Sequence, residues 1–236
     1  MTDQDLEKSI SSKTLAMVVP VVFLIFLLAA LYNWQNIRWY EACWLLALIA
    51  QGAIRGPFAK KNAKNTVISR HKSGSETAML IMAMVLMCFL PLIYLSSVKT
   101  VFAFADYTAP KWLIYLGVAL IVPGLWLFWR SHVDLGRNWS PTLEIRDQHE
   151  LVTHGVYQYI RHPMYAAIWL LVFSQPCLLH NWIAGFSVIP AFLLMYIVRV
   201  PREEDMVRRQ FGATYDDYVR QTGRIWPKFE TIKHQR

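Results

Sequence analysis

The residues best suited to chemistry lie in two polar clusters. The first is HELVTHGVYQYIRHPMY, His149 to Tyr165, which brings histidines, a glutamate, an arginine and tyrosines together. The second is RVPREED, Arg199 to Asp205. Residues 166–198 between them contain no Asp, Glu, Lys or Arg. Two polar clusters joined by an uncharged hairpin predict a site closed at one face of a membrane. Arg199 and Glu203 are four apart and share one helix face. No GxGxxG, P-loop or serine nucleophile elbow occurs, which excludes a soluble-type nucleotide-binding Rossmann domain. His149, His154 and His162 have no familiar ligand spacing and no HExxH is present, so no metal site is expected.

The elements that must position these clusters are apolar. Of 236 residues, 55% are hydrophobic and 14% aromatic, and the mean hydropathy of +0.28 is high for a soluble domain. Apolar runs span Leu15–Leu31, Tyr40–Ile54, Thr77–Val98, Trp112–Trp129, Met164–Leu179 and Trp182–Val198. Residues 1–14 read as loosely ordered and 55–72 as a basic loop. Gly52 and Gly56 form a GxxxG, a weak packing signal. His180 and Asn181 alone join the last two runs, which forces an antiparallel hairpin. The fold class expected is all-α: a polytopic transmembrane bundle of about six crossings, with a cytoplasmic cofactor-binding loop and a C-terminal helical tail. Residues 1–130 supply N-terminal transmembrane helices and 131–236 the site-bearing core. In the tail, Thr214–Gln221 reads as a short amphipathic helix with Tyr215, Tyr218 and Val219 inward, and Trp226 and Phe229 are expected to tuck back.

Charge sets the expected orientation. With the N-terminus inside and six crossings, 21 of the 24 Lys and Arg fall on the cytoplasmic side, leaving Arg38, Lys99 and Lys111 outside. The net charge of +8 therefore reads as positive-inside bias and not as nucleic-acid binding. Both termini and the two clusters come out on the cytoplasmic face of a multi-pass protein. Cys43, Cys88 and Cys177 sit in apolar runs without CxxC spacing and read as inert thiols.

The order HELVTHGVYQYIRHPMY, uncharged hairpin, RVPREED and FGATYDDYVRQ resembles the isoprenylcysteine carboxyl methyltransferase family over about residues 130–229. LGRNWS, Leu135 to Ser140, is similar to the stretch that family carries upstream. Ala167 departs from it, since the family usually has glycine there. The resemblance implies a membrane methyltransferase with S-adenosyl-L-methionine held by the loop. It carries cofactor contacts onto His149, Glu150, Leu151, Val152, Tyr157, His162, Pro163, Met164, Tyr165 and Glu203. It places Arg199 on the substrate carboxylate, with Arg161 as its catalytic companion. The physics agrees: a sulfonium and an ammonium beside a carboxylate suit an acidic side chain, aromatic faces and loop N–H groups. The partners implied are a lipophilic or lipidated methyl acceptor and membrane lipid, with no nucleic acid; the oligomeric state stays open. A carboxylate acceptor is already nucleophilic at neutral pH. A phospholipid amine or small thiol would need a base such as His162 or Glu204. A sterol-reductase-like NADPH enzyme shares the general layout, and a scaffold or transporter is a third reading, disfavoured by the lack of charges within the spans.

Overall fold

The computed structural model describes residues 3–62, 67–70, 74–96, 99–139, 144–146 and 150–228. The chain is a helical bundle of α1 (Asp3–Tyr32), α2 (Trp39–Asn62), α3 (Gly74–Met84), α4 (Leu90–Leu95), α5 (Lys111–Leu135), α6 (Pro163–Leu178), α7 (Val188–Phe211) and α8 (Ala213–Gln221). A single-turn π-helix, Val85–Phe89, splices α3 to α4, and another, Trp182–Phe186, leads into α7. Among the described residues four stretches are long and apolar enough to cross a membrane: Trp39–Asn62, Ala78–Leu95, Lys111–Asn138 and Trp182–Phe211. Val18–Tyr32 and Pro163–Leu178 are apolar but shorter. Large apolar side chains such as Leu28, Val122, Trp126, Leu193 and Ile197 face outward. A girdle of that kind has no place on a water-soluble surface.

Two expected irregular regions are helical. Helix α1 begins at Asp3, within the segment read as loosely ordered; that segment has neither Gly nor Pro to stop a helix growing back from the apolar run. Helix α2 continues through Pro57 to Asn62, so Arg55, Lys60 and Lys61 ride on it instead of a loop. Pro91 falls inside the third apolar run, Thr77–Val98. The π turn just before it shifts the hydrogen-bond ladder, and Gln175 Nε2 on α6 donates to the Leu86 carbonyl at 3.1 Å. A neighbouring helix thus supplies a bond that the proline removes.

Helices α5 and α6 form the most extensive contact in the bundle. The reason is glycine on α5. A Cβ on Gly117 would lie 2.6 Å from Cys177 Cβ, and one on Gly124 would lie 3.0 Å from Leu171 Cδ2. Small residues let backbones approach where no hydrophobic effect drives association. By contrast, nothing lies within 4 Å of a Cβ on Gly52 or Gly56, so the expected GxxxG is not a packing seam. The expected boundary at residue 130 falls inside α5.

The bundle has two distinct ends. At one, β1 (Val67–Arg70) pairs antiparallel with β2 (Glu144–Arg146), a short ribbon in an otherwise helical chain. It places the α2–α3 and α5–α6 connections side by side. At the other end Asn181 caps the second π turn by accepting from Ile183 N and Ala184 N, both at 2.9 Å. Its Nδ2 donates to Asp106 Oδ1 at 2.8 Å. His180 stacks on Tyr40, which accepts a hydrogen bond from Arg38 at 2.7 Å. The hairpin turn and the ribbon therefore sit at opposite ends.

Candidate functional site

A cavity of about 500 Å³ opens among α2, α3, α6, α7, α8 and the α5–α6 connection. That is the size of a ligand pocket, roughly 300–1,000 Å³. Glu150, Leu151, Val152, Tyr157, Arg161, His162, Pro163, Met164, Tyr165, Arg199 and Glu203 all line it. His149 lies outside the described residues. One arm is polar. The other is apolar, walled by Leu80, Ala83, Met84, Met87, Ile168 and Phe192.

The loop that carries the first cluster is held by a few backbone contacts. Gly155 has φ +61, and a Cβ there would collide with the Asp134 carboxylate. That carboxylate accepts from Val156 N at 2.9 Å and pairs with Arg130 at 2.7 Å. A left-handed turn against a buried wall accepts only glycine. His162 occupies the N-cap position of α6 and Pro163 the first turn, where its missing N–H costs nothing. This aims Tyr165 across the cavity. Its hydroxyl donates to Glu203 Oε2 at 2.9 Å and also hydrogen-bonds Arg199.

Neighbouring glutamates on α7 do different work. Glu203 lines the cavity with its side chain 31% accessible, so its carboxylate has room for further donors. Glu204 does not line it. Instead it accepts from Arg161 at 3.3 Å, from His162 Nε2 at 3.2 Å and from Arg224 at 2.5 Å. Arg161 also donates to the carbonyls of Thr222 at 2.5 Å and Val219 at 3.4 Å. Its donors are thus directed to Glu204 and the tail. His162 Nδ1 lies 4.0 Å from Glu203 Oε1 on its other side.

The tail closes over this cluster. Arg161 N donates to Gly223 O at 2.8 Å and His162 N to Arg224 O at 2.9 Å. Gly223 must be glycine, since a Cβ would overlap the Trp226 carbonyl. Tyr215 and Tyr218 of α8 are buried as expected; both also line the cavity, and Tyr218 OH donates to Tyr157 O at 2.7 Å. Val219 is half-buried. Trp226, expected to tuck back, is 74% exposed; Ile225 packs on the core in its place. Phe229 lies outside the described residues. Burial lifts the Tyr157 phenol well above its ordinary range and pushes Tyr215 up to about 12. Neither is a base at neutral pH.

Several lining residues escaped the sequence reading as site residues: Gln51, Arg55, Phe128, Met206 and Phe211. Trp139 and Asn138, within the LGRNWS stretch, line the cavity too. Asn62 Nδ2 fixes that stretch by donating to Gly136 O at 2.8 Å and Trp139 O at 3.1 Å. Among the described residues no cluster of three or more His, Cys, Asp or Glu could hold a metal.

The family model for the isoprenylcysteine carboxyl methyltransferase (ICMT) family matches residues 116–209, which covers α5, α6 and α7 and most of the cavity's polar arm. The chain resembles that family. A probable protein-S-isoprenylcysteine O-methyltransferase of Oryza sativa subsp. indica is 29% identical over 107 residues, 44% of this chain and 56% of the relative. The nickel-cobalt-cadmium resistance protein NccN of Alcaligenes xylosoxydans xylosoxydans is 28% identical over 122 residues, 51% of this chain and 56% of the relative. In both cases the match spans little more than half of the relative's length. A solved structure of the eukaryotic intramembrane Ras methyltransferase ICMT aligns at 20% identity with a TM-score of 0.45, over 92% of this chain and 87% of that one.

Proposed function

We propose that this chain is an integral membrane methyltransferase that uses S-adenosyl-L-methionine to esterify a lipophilic carboxylate at the cytoplasmic face. One observation carries the reading: Glu203 and Arg199, one turn apart on α7, face a single cavity with a polar arm and an apolar arm. The residues fit the cofactor. Glu203 has an accessible carboxylate for an α-ammonium, and Tyr157 and Tyr165 bring aromatic rings to the same wall.

When bound, S-adenosyl-L-methionine supplies a methyl on a positively charged sulfur, which a carboxylate oxygen displaces to give a methyl ester and a neutral thioether. No proton leaves the acceptor, so no general base is required. Arg199 grips the carboxylate with its planar fork. Tyr165 joins Arg199 to Glu203 and fixes the spacing between the acceptor and cofactor subsites. The apolar arm takes the lipid chain and keeps water from the reacting atoms. Arg161 acts as a positioning residue, because its guanidinium ties the loop to Glu204 and the tail.

An amine or thiol acceptor is less well served. The two groups nominated as its base, His162 and Glu204, are bonded to each other, and Glu204 is held by two arginines besides. The ribbon supports the orientation, since it joins two connections that the charge distribution assigns to the cytoplasm.

Calorimetry on protein in detergent tests the cofactor assignment. Glu203→Gln removes a charge-assisted contact of about 1.5–3 kcal/mol, which weakens S-adenosyl-L-methionine binding about 10- to 150-fold. Unchanged affinity would remove Glu203 as the anchor.

A further inference from the structure

The C-terminal end of α5 and the turn after it offer three acceptors to the loop that carries Glu150, Leu151, Val152 and Tyr157. Asp134 Oδ2 accepts from Val156 N at 2.9 Å, Asn138 Oδ1 from Glu150 N at 3.3 Å, and Ser131 O from the Tyr157 hydroxyl at 3.3 Å. Every donor comes from the loop and every acceptor from α5 or its turn. Residues 150–154 have no repeating backbone pattern. Their path is therefore set by side-chain bonds of this kind and not by a helix or strand ladder.

Asp134 works from behind the wall, since it is not among the residues that line the cavity. Its side chain is 6% accessible, with Oδ1 held by Arg130 at 2.7 Å and Oδ2 on the loop amide. The carboxylate also packs directly on the loop backbone, where a Cβ on Gly155 would overlap it. Asn138 reaches the loop from the other side of a break in α5: Gly136, with φ +53, ends the helix and turns the chain. Asn62 of α2 holds that turn through Gly136 O and Trp139 O, so a helix outside the family-matched stretch supports the second anchor.

We propose that Asp134 is a positioning residue for the cofactor: through Val156 N, and with Asn138 as a second anchor on Glu150 N, it holds the loop from Glu150 to Tyr157 in the shape that receives S-adenosyl-L-methionine. This rests on the methyltransferase reading and adds to it residues that set cofactor affinity from α5. A loop released from these anchors must be ordered anew at each binding event, and that ordering cost is subtracted from affinity. The acceptor is spared, because Arg199 and the apolar arm sit on other helices and do not hang on this loop.

The test compares wild type with Asp134→Ala, Asp134→Asn and Asn138→Ala, purified in detergent. S-adenosyl-L-methionine binding is read by calorimetry, and the KM for an S-prenylated N-acylcysteine is read at saturating cofactor. Asp134→Ala should weaken cofactor binding about 5- to 30-fold, and Asn138→Ala, which loses the longer bond, about 3- to 10-fold. Asp134→Asn keeps an acceptor oxygen for Val156 N but gives up the charge facing Arg130, and should bind the cofactor within about threefold of wild type. The KM for the acceptor should stay within about twofold in all three. Wild-type cofactor affinity in both alanine variants overturns the proposal. Asp134→Asn as weak as Asp134→Ala overturns it by making the charge pair with Arg130, and not the loop bond, the contact that matters. Equal losses for cofactor and acceptor overturn it by reducing Asp134 to a packing residue. If Asp134→Ala does not fold, Asn138→Ala decides: a loss confined to the cofactor supports the proposal, and no loss overturns it. Wild-type protein that binds no S-adenosyl-L-methionine sinks the methyltransferase reading, and this proposal with it, before any variant is compared.

Discussion

Glu204→Gln separates the two adjacent glutamates of α7. Successive helical residues point about 100° apart, so Glu203 turns to the cavity while Glu204 turns to the tail. The Glu204 side chain is 8% accessible and meets Arg161, 8% accessible, and His162, 6% accessible. Its third partner, Arg224, is 47% accessible. Removing one partner of a buried charge pair costs about 3–5 kcal/mol, because the charges left behind stay desolvated. Arg224 can turn to water and glutamine keeps one acceptor oxygen, so the expected loss is nearer about 2–4 kcal/mol. For a chain of this size that lowers Tm by about 5–15 °C. Thermal unfolding in detergent reads the shift, and proteolysis following Gln221 should accelerate as Arg161 loses its hold on the tail. Glu203→Gln, by contrast, should leave Tm near the wild-type value. A Glu204→Gln protein that unfolds within about 2 °C of wild type would refute the reasoning.

Arg199→Lys keeps the charge but loses the planar fork, so cofactor affinity should hold while turnover of a carboxylate falls about a hundredfold. Near-normal turnover, read with labelled cofactor, would remove Arg199 from the mechanism. Gly117→Val places atoms where Cys177 and Leu178 already sit and should destabilise the α5–α6 pair by about 1–3 kcal/mol, seen as a lower Tm. A reporter fused after Arg236 that is active only outside the cytoplasm should stay silent; activity would overturn the orientation.

The helices, the hairpin and the polar clusters were legible because each rests on local pattern: apolar runs, a two-residue turn and one charge-free interval. Four-residue spacing placed Arg199 and Glu203 on one helix face, and the family resemblance assigned that face to the site. What stayed hidden depends on contacts between distant segments. The tail latch joins residues 159–162 to 223–224 through backbone bonds that no side-chain pattern encodes. Trp226 looked like an anchor from its size, but the turn at Gly223 presents Ile225 inward. Arg55 looked like a loop cation because it follows the apolar run Tyr40–Ile54 and opens the basic stretch 55–72. In a membrane-type bundle α2 runs on past Pro57 and carries Arg55 to the cavity wall. The glycines that matter, Gly117 and Gly124, are seven apart with no GxxxG, whereas the GxxxG that does occur packs against nothing.

The most direct test incubates purified protein with methyl-labelled S-adenosyl-L-methionine and an S-prenylated cysteine bearing a free carboxylate, then treats the product with base. An ester releases its label as methanol, whereas a methylated amine or thioether does not. The account predicts label that depends on the free carboxylate and leaves quantitatively with base. Base-stable label, or no transfer from protein that binds the cofactor, would contradict it.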